Sequence, residues 1–330
     1  MSTELKYLLV LFWVACFCTC SEKQSSNVEN VSYSVMASVD NWEDSIFLSK
    51  VKSLQIKNSE LCFCDQYLSK LFVLDKKLNL KQMIGKKGEG PDEFIHIGTM
   101  FVSDSLFYVY DVGRASVVCC NRKGEFLEQY KLADYLIPPY FRFIVNDSSF
   151  IISSEKEKQA FLEYNMQTKI ASFWGEKTSF ANEKQYQIRN GRYILNYKDK
   201  YLSISNNLPF VEVYDRQSKQ LLNKFDYSDV EIIQDVLFEN KTNINSSSYY
   251  WLVFDACVED DCLYLLLNGR NDREGFNVNR ILMLNLLSSE LKKCILKLPG
   301  EVYDTFCIEN DTIYAFNHCD SRIEMLTKAK

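Results

Sequence analysis

Glycine, proline and histidine are scarce in this chain of 330 residues. The 11 glycines and 5 prolines make up about 5% of the chain, against about 12% on average, which excludes collagen-like and glycine-rich linker architectures. The only histidines, His96 and His318, leave little material for a histidine-dominated zinc site or a Ser-His-Asp triad. No long basic run occurs and the net charge is −6, which argues against a nucleic-acid partner, since phosphate neutralisation requires a clustered positive face.

Apolar material, by contrast, is plentiful, since 47% of the residues are hydrophobic and 14% are aromatic. Such a composition supports a large core and excludes intrinsic disorder. An apolar run of 14 residues at 7–20 would rise about 21 Å as a helix, which is short of the roughly 30 Å hydrocarbon thickness of a bilayer. The run therefore predicts the core of a signal peptide rather than a membrane span.

Cys20 is followed by a polar stretch and makes this segment similar to a bacterial lipoprotein signal, in which Cys20 would carry the lipid. Cys16 and Cys18 are alternative acceptors, and an uncleaved anchor or buried helix is the alternative to cleavage. The predicted organisation is a signal peptide, a polar tether and one folded domain, over residues 1–20, 21–30 and 31–330.

A two-strand sequence motif recurs six times in the rest of the chain. It consists of an apolar strand, a polar break, a second strand and a turn. Its strands end at Asp65 and Asp75 in the first copy and at Asp111 and Asn121 in the second, a shift of 46 residues in both cases. A period of about 40 to 50 residues in an all-β chain is typical of a β-propeller with one four-stranded antiparallel blade per repeat. The prediction is an all-β, six-bladed propeller.

The sixth copy lacks a fourth strand, because the chain stops soon after its third. We expect residues 31–39 to supply the outermost strand of that blade and so to close the ring. A pair of β-sandwiches is the alternative architecture, but a sandwich gives no reason for a sequence motif to be repeated six times.

Two local features are also predicted. Ser228 and Glu231 have capping-box spacing before apolar residues on one helical face, which indicates a short helix at 229–238, followed by a polar loop at 240–248.

Nine cysteines remain after positions 16, 18 and 20, an odd number that requires at least one free thiol after export. Most are interpreted as small buried hydrophobes. Cys257 and Cys262 flank a predicted turn, and a disulfide between them across that hairpin is a hypothesis.

Residues 85–94 (GKKGEGPDEF) resemble the G-x-x-G-x-G-P-x-E-F turn of the six-bladed, TolB-like and NHL-like β-propeller lipoproteins of Bacteroidota. Asp92 stands where that family usually has glycine. With the repeats and the lipidation cysteine, the resemblance covers nearly the whole mature chain. It implies an exported outer-membrane lipoprotein, facing the periplasm or the cell surface, with no common chemistry.

The glycine spacing in this segment differs from the G-x-G-x-x-G of a dinucleotide site, and it introduces a strand rather than a helix. We interpret it as a crossover turn between blades, in which Glu93 either caps backbone amides or points into the channel. Polar residues recurring at the ends of first strands are predicted to be scaffold groups that accept turn amides; these are Asp65, Asp111, Asn268 and Asn317.

In a propeller, the crossovers between blades and the loops between second and third strands share one face, which is the default binding surface. Arginines there suit a carboxylate or phosphate, and tyrosines suit a sugar ring. The longest such loop is 268–279. The candidate ligand-binding residues on this face are Tyr67, Glu93, Arg114, Arg270, Arg273, His318 and Arg322.

These observations predict a non-catalytic recognition protein of the cell envelope, whose partner is a glycan, a peptide or an envelope protein and whose only membrane contact is the lipid. Scarce histidine, and acidic residues that recur with the repeat, favour binding over catalysis. One alternative is a channel-mouth lyase or hydrolase, and another is a structural component of an envelope complex. No cofactor is expected, except that calcium is a candidate for the enzyme and would require several oxygen ligands around one point.

Overall fold

The computed structural model describes residues 28–42, 46–132, 135, 138, 141–146, 148–154, 158–180, 182–242, 249–269, 276–287 and 292–329. The predicted signal peptide with Cys20 and most of the predicted tether lie outside these residues. No described helix has the length and apolarity that crossing a membrane requires.

The described strands form six blades of four strands each, and the first strand of each blade lies innermost. Blade 1 contains β2 (Val51–Lys57), β3 (Glu60–Asp65), β4 (Lys70–Asp75) and β5 (Leu80–Ile84). Blade 2 contains β6 (Ile97–Val102), β7 (Leu106–Asp111), β8 (Ser116–Asn121) and β9 (Phe126–Lys131). Blade 3 contains β10 (Ile144–Val145), β11 (Ser149–Ser153), β12 (Gln159–Asn165) and β13 (Ala171–Glu176).

The second half of the ring has the same plan. Blade 4 contains β14 (Arg192–Tyr197), β15 (Lys200–Ser205), β16 (Phe210–Asp215) and β17 (Leu221–Asp226). Blade 5 contains β18 (Val253–Glu259), β19 (Cys262–Leu267), β20 (Arg280–Asn285) and β21 (Lys293–Lys297). Blade 6 contains β22 (Tyr303–Glu309), β23 (Thr312–Asn317), β24 (Arg322–Lys328) and, as its outermost strand, β1 (Glu29–Val39).

The predicted closure is confirmed. Strand β1 pairs antiparallel with β24, from Tyr33 opposite Lys328 to Val39 opposite Ile323. Its first four residues, from Glu29, also pair in parallel with β21 of blade 5, so blades 5 and 6 form one continuous sheet. The sequence did not indicate this second pairing.

Tight turns between the first and second strands fix the register within the blades. Asn58 and Ser59 have φ of 52° and 61°, and Asn310 and Asp311 have φ of 49° and 64°. A two-residue hairpin turn whose twist matches that of the strands requires a positive φ at both of its central residues. These two turns meet that requirement.

Apolar side chains fill the interfaces between neighbouring blades. Strands β3 and β7 are buried along almost their whole length, whereas the outermost strand β17 is largely exposed. Aromatic rings stack within these interfaces, as Phe63 does on Phe72 with ring centroids 5.1 Å apart. Each buried side chain of this size contributes about 1.5–3 kcal/mol of transfer free energy, so the ring is stabilised by packing between blades.

Two local predictions require correction. The turn at Asp260 sets a register in which Cys257 lies opposite Tyr264 and Cys262 lies opposite Glu259, so the two cysteines do not face each other and both are free thiols. The predicted helix at 229–238 is instead a 3-10 turn at Glu231–Ile233 followed by an α-helix at Gln234–Thr242, which takes in the start of the predicted loop. A second short helix, Glu183–Arg189, precedes blade 4, and its N-cap is Asn182.

Candidate functional site

The two faces of the ring differ in their connections. One face carries the crossovers between blades and the loops between second and third strands, and we call it the loop face. The opposite face carries the short turns between first and second strands and between third and fourth strands, and we call it the turn face. Five of the seven predicted binding residues lie in the described part of the loop face, whereas Arg270 and Arg273 lie outside the described residues.

Glu93 caps the glycine-rich crossover turn, which is one of the two roles predicted for it. Its Oε2 accepts the N–H of Gly90 at 2.8 Å, and its Oε1 lies 2.7 Å from Lys86 Nζ. A Cβ at Gly88 would stand 2.0 Å from that Oε2, so any larger residue there would displace the carboxylate from the turn. The hydrogen bond from Lys86 and that from the Gly90 amide lower the pKa of Glu93.

Arg114 acts on the same turn from blade 2. Its Nη2 donates to the carbonyl oxygen of Gly90 at 2.8 Å, and its Nε lies 3.4 Å from Asp111 Oδ2. Glu93 therefore binds the N–H of Gly90 and Arg114 binds its carbonyl. Both side chains stabilise the crossover turn in this structure.

The recurring acidic residues have the scaffold role that their recurrence predicts. Asp65 is fully buried; its Oδ1 accepts the amides of Tyr67 and Leu68 at 2.9 Å each. Its Oδ2 accepts the amides of Ser49 and Lys50, at 2.8 and 3.2 Å. One carboxylate thus ties a loop to the preceding crossover.

Asp111, also fully buried, repeats this arrangement in blade 2. Its oxygens accept the amides of Ile95, His96 and Gly113 at 3.0–3.1 Å.

Arg322 lies over a buried polar cluster in blade 6. Its Nε donates to Glu324 Oε1 at 2.7 Å, and Glu324 is fully buried. Tyr303 and Asn317 also donate to Glu324, at 2.6 and 3.1 Å. Hydrogen bonding to Glu324 raises the pKa of Arg322, because it holds the charged guanidinium. Arg322 keeps 36% of its side chain exposed, so one edge faces solvent.

His318 and Tyr67 are the most exposed of the five. His318 Nδ1 lies 2.9 Å from Asp304 Oδ2, and Asp304 Oδ1 lies 3.5 Å from Lys52 Nζ. Tyr67 is 68% exposed, and Lys87 Nζ stands 5.7 Å from its ring centroid. These side chains remain available to a ligand.

The channel mouth contains a feature that sequence reasoning missed. Four inner strands carry a register irregularity near their first residues, in β2, β6, β18 and β22. The residues that follow the first residue of these strands are Lys52, Gly98, Phe254 and Asp304. Gly98, Phe254 and Asp304 are the unpaired residues of their irregularities, whereas Lys52 pairs with Cys64 and the irregularity of β2 follows it. Lys52 and Asp304 form the ion pair between blades 1 and 6.

Below the mouth, a buried ion pair lies across the channel. Arg142, from the segment before β10, places Nε and Nη2 at 2.6 Å from the two carboxylate oxygens of Asp255 on β18. Its Nη2 also donates at 2.9 Å to the carbonyls of Leu54 and Phe306, and Thr305 Oγ1 donates to Asp255 at 2.5 Å. Burial alone would lower the pKa of Arg142, but the charge and hydrogen bonds of Asp255 raise it above its ordinary value. One guanidinium thus joins blades 1, 3, 5 and 6.

Exposed aromatic side chains are concentrated on the loop face. Among the described residues, the exposed aromatics are Phe47 (58%), Tyr67 (68%), Phe238 (67%) and Phe276 (48%), and all four lie in crossovers or in loops between second and third strands.

Phe276 also ends a row of aromatic rings that runs toward the mouth. Trp251 lies 5.7 Å from Phe254, and Phe254 lies 5.8 Å from Phe276, between ring centroids. In the part of the chain that the structure describes, no group of three His, Cys, Asp or Glu side chains is arranged to hold a metal ion.

Comparison with known proteins gives the class. The model of a 6-bladed beta-propeller family matches residues 41–253, about two thirds of the chain, and the chain belongs to this family. No curated protein sequence matches it.

Solved structures agree with this fold. A protein described as exported, from Bacteroides fragilis, is 13% identical with a TM-score of 0.58, and the match covers 92% of this chain and 100% of that one. A member of the DUF4221 family from Bacteroides vulgatus is 12% identical with a TM-score of 0.58, covering 90% and 98%. A virginiamycin B lyase from Staphylococcus aureus, solved with quinupristin, is 13% identical with a TM-score of 0.51, covering 92% and 96%. At these identities the likeness concerns the fold alone.

Proposed function

We propose that the protein is an exported, lipid-anchored recognition protein of the outer membrane that binds a partner on its loop face without catalysing a reaction. In this proposal Cys20 carries the lipid, and the chain is one of the TolB-like and NHL-like lipoproteins that its glycine turn resembles. The exported character of the Bacteroides fragilis neighbour supports the same placement.

The observation that carries the proposal is the concentration of exposed aromatic side chains on the loop face. Aromatic side chains are costly to leave in water and are enriched at the centres of protein interfaces. Phe47 and Tyr67 belong to the blade 1 side of the ring, whereas Phe238 and Phe276 belong to the blade 4 and blade 5 side. A partner that contacts both groups must span the channel mouth, which favours an envelope protein or a long peptide over a small molecule; a glycan chain is the other candidate.

The position of the tether also supports recognition through the loop face. Strand β1 begins beside the first residues of β21, where Glu29 pairs with Cys294, and this end of the blade is the turn face. A lipid joined through the preceding residues would therefore hold the turn face toward the membrane and the loop face away from it.

The polar candidates on this face fit such a partner in different degrees. Tyr67 and His318 are exposed, and we propose both as contacts, together with Arg270 and Arg273. Glu93 and Arg114 are proposed to act by holding the crossover turn, whose Lys87 stands over the ring of Tyr67. Arg322 offers one exposed edge of its guanidinium.

Capture from detergent-solubilised envelope tests the proposal. The full chain serves as bait beside a Tyr67→Ser/Phe276→Ser variant, with Leu127→Ser/Leu287→Ser as the matched control, because those leucines are 57% and 67% exposed outside the loop face. We expect at least a tenfold loss of captured partner for the aromatic variant and none for the control. Equal capture by all three proteins would contradict a loop-face site. Protease treatment of the envelope before capture separates a protein partner from a glycan.

A further inference from the structure

Exposed aliphatic side chains recur at one place on the edge of the turn face. Among the described residues, blades 2 to 5 each expose at least one such side chain in the turn between the third and fourth strands or in the first two residues of the fourth strand. A single exposed aliphatic residue is ordinary on a protein surface, but recurrence at equivalent positions of four neighbouring blades indicates a shared surface. We call this set the aliphatic rim; its members, all at least 50% exposed, are Leu127, Ile170, Leu221, Leu222 and Leu287.

A recurring side-chain acceptor fixes the turns that carry the rim. The third strand of each of these blades ends in Asn or Asp, whose side-chain oxygen accepts amides of the turn that follows. In blade 3, Asn165 Oδ1 accepts the amides of Gln167 and Thr168 at 3.0 and 2.9 Å. The exposure of the rim therefore follows from a defined turn conformation. The equivalent acceptors in blades 2, 4 and 5 are Asn121, Asp215 and Asn285.

Exposed lysines lie in the same turns. Lys123 and Lys169 belong to the turns of blades 2 and 3, and Lys77 occupies the corresponding turn of blade 1. None of the ion pairs among the described residues engages these three ammonium groups. Glu125 and Glu128 of blade 2 are exposed as well and offset part of the positive charge. The edge of blades 1 to 4 therefore combines aliphatic side chains with ammonium groups that are open to solvent.

The other side of the turn face has a different character. The turns between first and second strands of blades 5 and 6 carry Glu259, Asp260 and Asp311. Such a group of carboxylates is repelled by an anionic surface. The part of the rim on blades 2 to 4 is therefore the part best suited to such a surface.

We propose that the rim of blades 2 to 4 docks on the surface of a lipid bilayer, with its aliphatic side chains among the headgroups and its lysines against anionic phosphates. Proteins lie on a membrane in this way when apolar side chains and basic residues share one surface. The carboxylates of blade 2 weaken the charge attraction, so the aliphatic side chains carry the larger share of the docking.

The start of the described chain favours a bilayer as the partner. Strand β1 begins at the turn face, and Val28 is eight positions from Cys20 in the sequence. Eight residues span at most about 28 Å when fully extended. The inference rests on the proposed anchoring, which keeps the turn face close to the membrane, so that even weak contacts suffice for docking.

Fluorescence quenching by brominated lipids measures this contact. The full chain is purified from the membrane after export and reconstituted in vesicles of phosphatidylethanolamine and phosphatidylglycerol whose acyl chains carry bromine near the headgroup. Leu222→Trp adds an indole to the rim, and Tyr67→Trp adds one to the loop face. After subtraction of the parent signal, we expect at least twofold quenching for Leu222→Trp and none for Tyr67→Trp. Equal quenching of both, or quenching of neither, would overturn the docking.

Further variants in the Leu222→Trp background separate the two contributions. Ile170→Ser/Leu221→Ser should reduce the docking constant at least tenfold, on anionic vesicles and on vesicles of zwitterionic phosphatidylcholine alike. Val35→Ser/Met36→Ser changes exposed aliphatic residues of β1 and is the matched control, which should leave docking unchanged. Equal losses from the two serine pairs would contradict the assignment to the rim.

The lysines are tested in the same way. Lys123→Gln/Lys169→Gln should weaken docking on anionic vesicles by roughly fivefold per lysine and leave docking on phosphatidylcholine unchanged. Lys131→Gln/Lys297→Gln changes exposed lysines at the loop-face ends of β9 and β21 and is the control, with no loss expected. A lysine effect of equal size on both kinds of vesicle would refute the charge contact.

Flotation of the parent protein with the vesicles separates this inference from the proposed function. Protein that does not float lacks the anchor, and both proposals fail. Protein that floats with an unquenched rim keeps the anchor and refutes the docking alone. Quenching of the rim in a protein that captures no loop-face partner would support the docking and refute only the proposed recognition.

Discussion

Arg142 and Asp255 form a bidentate ion pair across the channel, with both nitrogen–oxygen distances at 2.6 Å and both side chains less than 10% exposed. The two residues are 113 positions apart in the chain and belong to blades 3 and 5. This pair also binds the inner strands of blades 1 and 6, through the carbonyls of Leu54 and Phe306, so four blades are joined at one point in the channel.

The first prediction concerns this pair. Arg142→Met should lower the free energy of unfolding by about 3–5 kcal/mol, because it leaves the Asp255 carboxylate buried without its counter-charge. The double variant Arg142→Met/Asp255→Leu should lose less than the sum of the single losses. Chemical denaturation of the four proteins measures the coupling. Additive losses would mean that the two residues act independently.

The second prediction concerns the scaffold carboxylate of blade 1. Asp65→Ala removes the acceptor of four amides in a fully buried turn, and should cost about 2–4 kcal/mol of unfolding free energy. Asp75 also accepts turn amides, those of Lys77 and Asn79, but at the solvent-exposed end of β4. Asp75→Ala is therefore the matched control and should cost less in denaturant titration. Comparable losses would refute the importance of burial here.

These two features differ in how far the sequence predicts them. The recurring position of Asp65 and Asp111, 46 residues apart, predicts their scaffold role, because each copy of a repeat must form the same turn and needs the same acceptor for its amides. The six blades and the closing strand follow from the same periodicity. The pairing of Arg142 with Asp255 breaks the repeat and depends on how distant inner strands converge. Its only sequence signal is a lone charged residue within each of two apolar runs, FRFIV and VFDAC.

The candidate site likewise contains features that the sequence predicts and features that it does not. Topology alone placed Tyr67, Arg114 and His318 on one face, since it depends only on strand order. The sequence left open whether Glu93 would cap backbone amides or point into the channel, and it did not indicate that Arg114 would donate to the carbonyl of Gly90, because hydrogen bonds between loops depend on their conformation. The exposed aromatics Phe238 and Phe276 were missed because hydropathy does not distinguish a buried ring from an exposed one.

The third prediction is a pH dependence of the glycine turn. The pKa of Glu93 is lower in the folded protein than its ordinary value of 4.5, because Lys86 and the Gly90 amide stabilise the carboxylate. Its contribution to stability is therefore fully present above pH 4.5 and is lost as the pH falls through the folded pKa. Glu93→Gln should melt below the parent protein at pH 7, and the difference should shrink below pH 4.5.

The control for that experiment is Glu89→Gln, which changes an exposed carboxylate of the same turn. It should leave the melting temperature nearly unchanged at both pH values. A constant difference between Glu93→Gln and the parent across the acid range would disprove the assigned ionisation.

The fourth prediction tests ring closure. Ser34 of β1 lies opposite Thr327 of β24, and paired residues on antiparallel strands have Cα separations that a disulfide can span. In a Cys319→Ser background, which removes the exposed native thiol, Ser34→Cys/Thr327→Cys should oxidise to a cross-linked protein with a higher unfolding temperature. Mass spectrometry of the digested protein detects the bridge. The mismatched pair Met36→Cys/Thr327→Cys should cross-link far less, and equal yields would argue against this register.

Photo-cross-linking in cells tests the central claim, recognition through the loop face, most directly. A benzoylphenylalanine at position 67 or 276 replaces an exposed aromatic of the loop face, and the same residue at 127 or 287 samples exposed positions elsewhere. The account predicts a discrete cross-linked partner from positions 67 and 276 on illumination, and none from 127 and 287. The same adduct from positions 127 and 287, with none from the loop face, would contradict it.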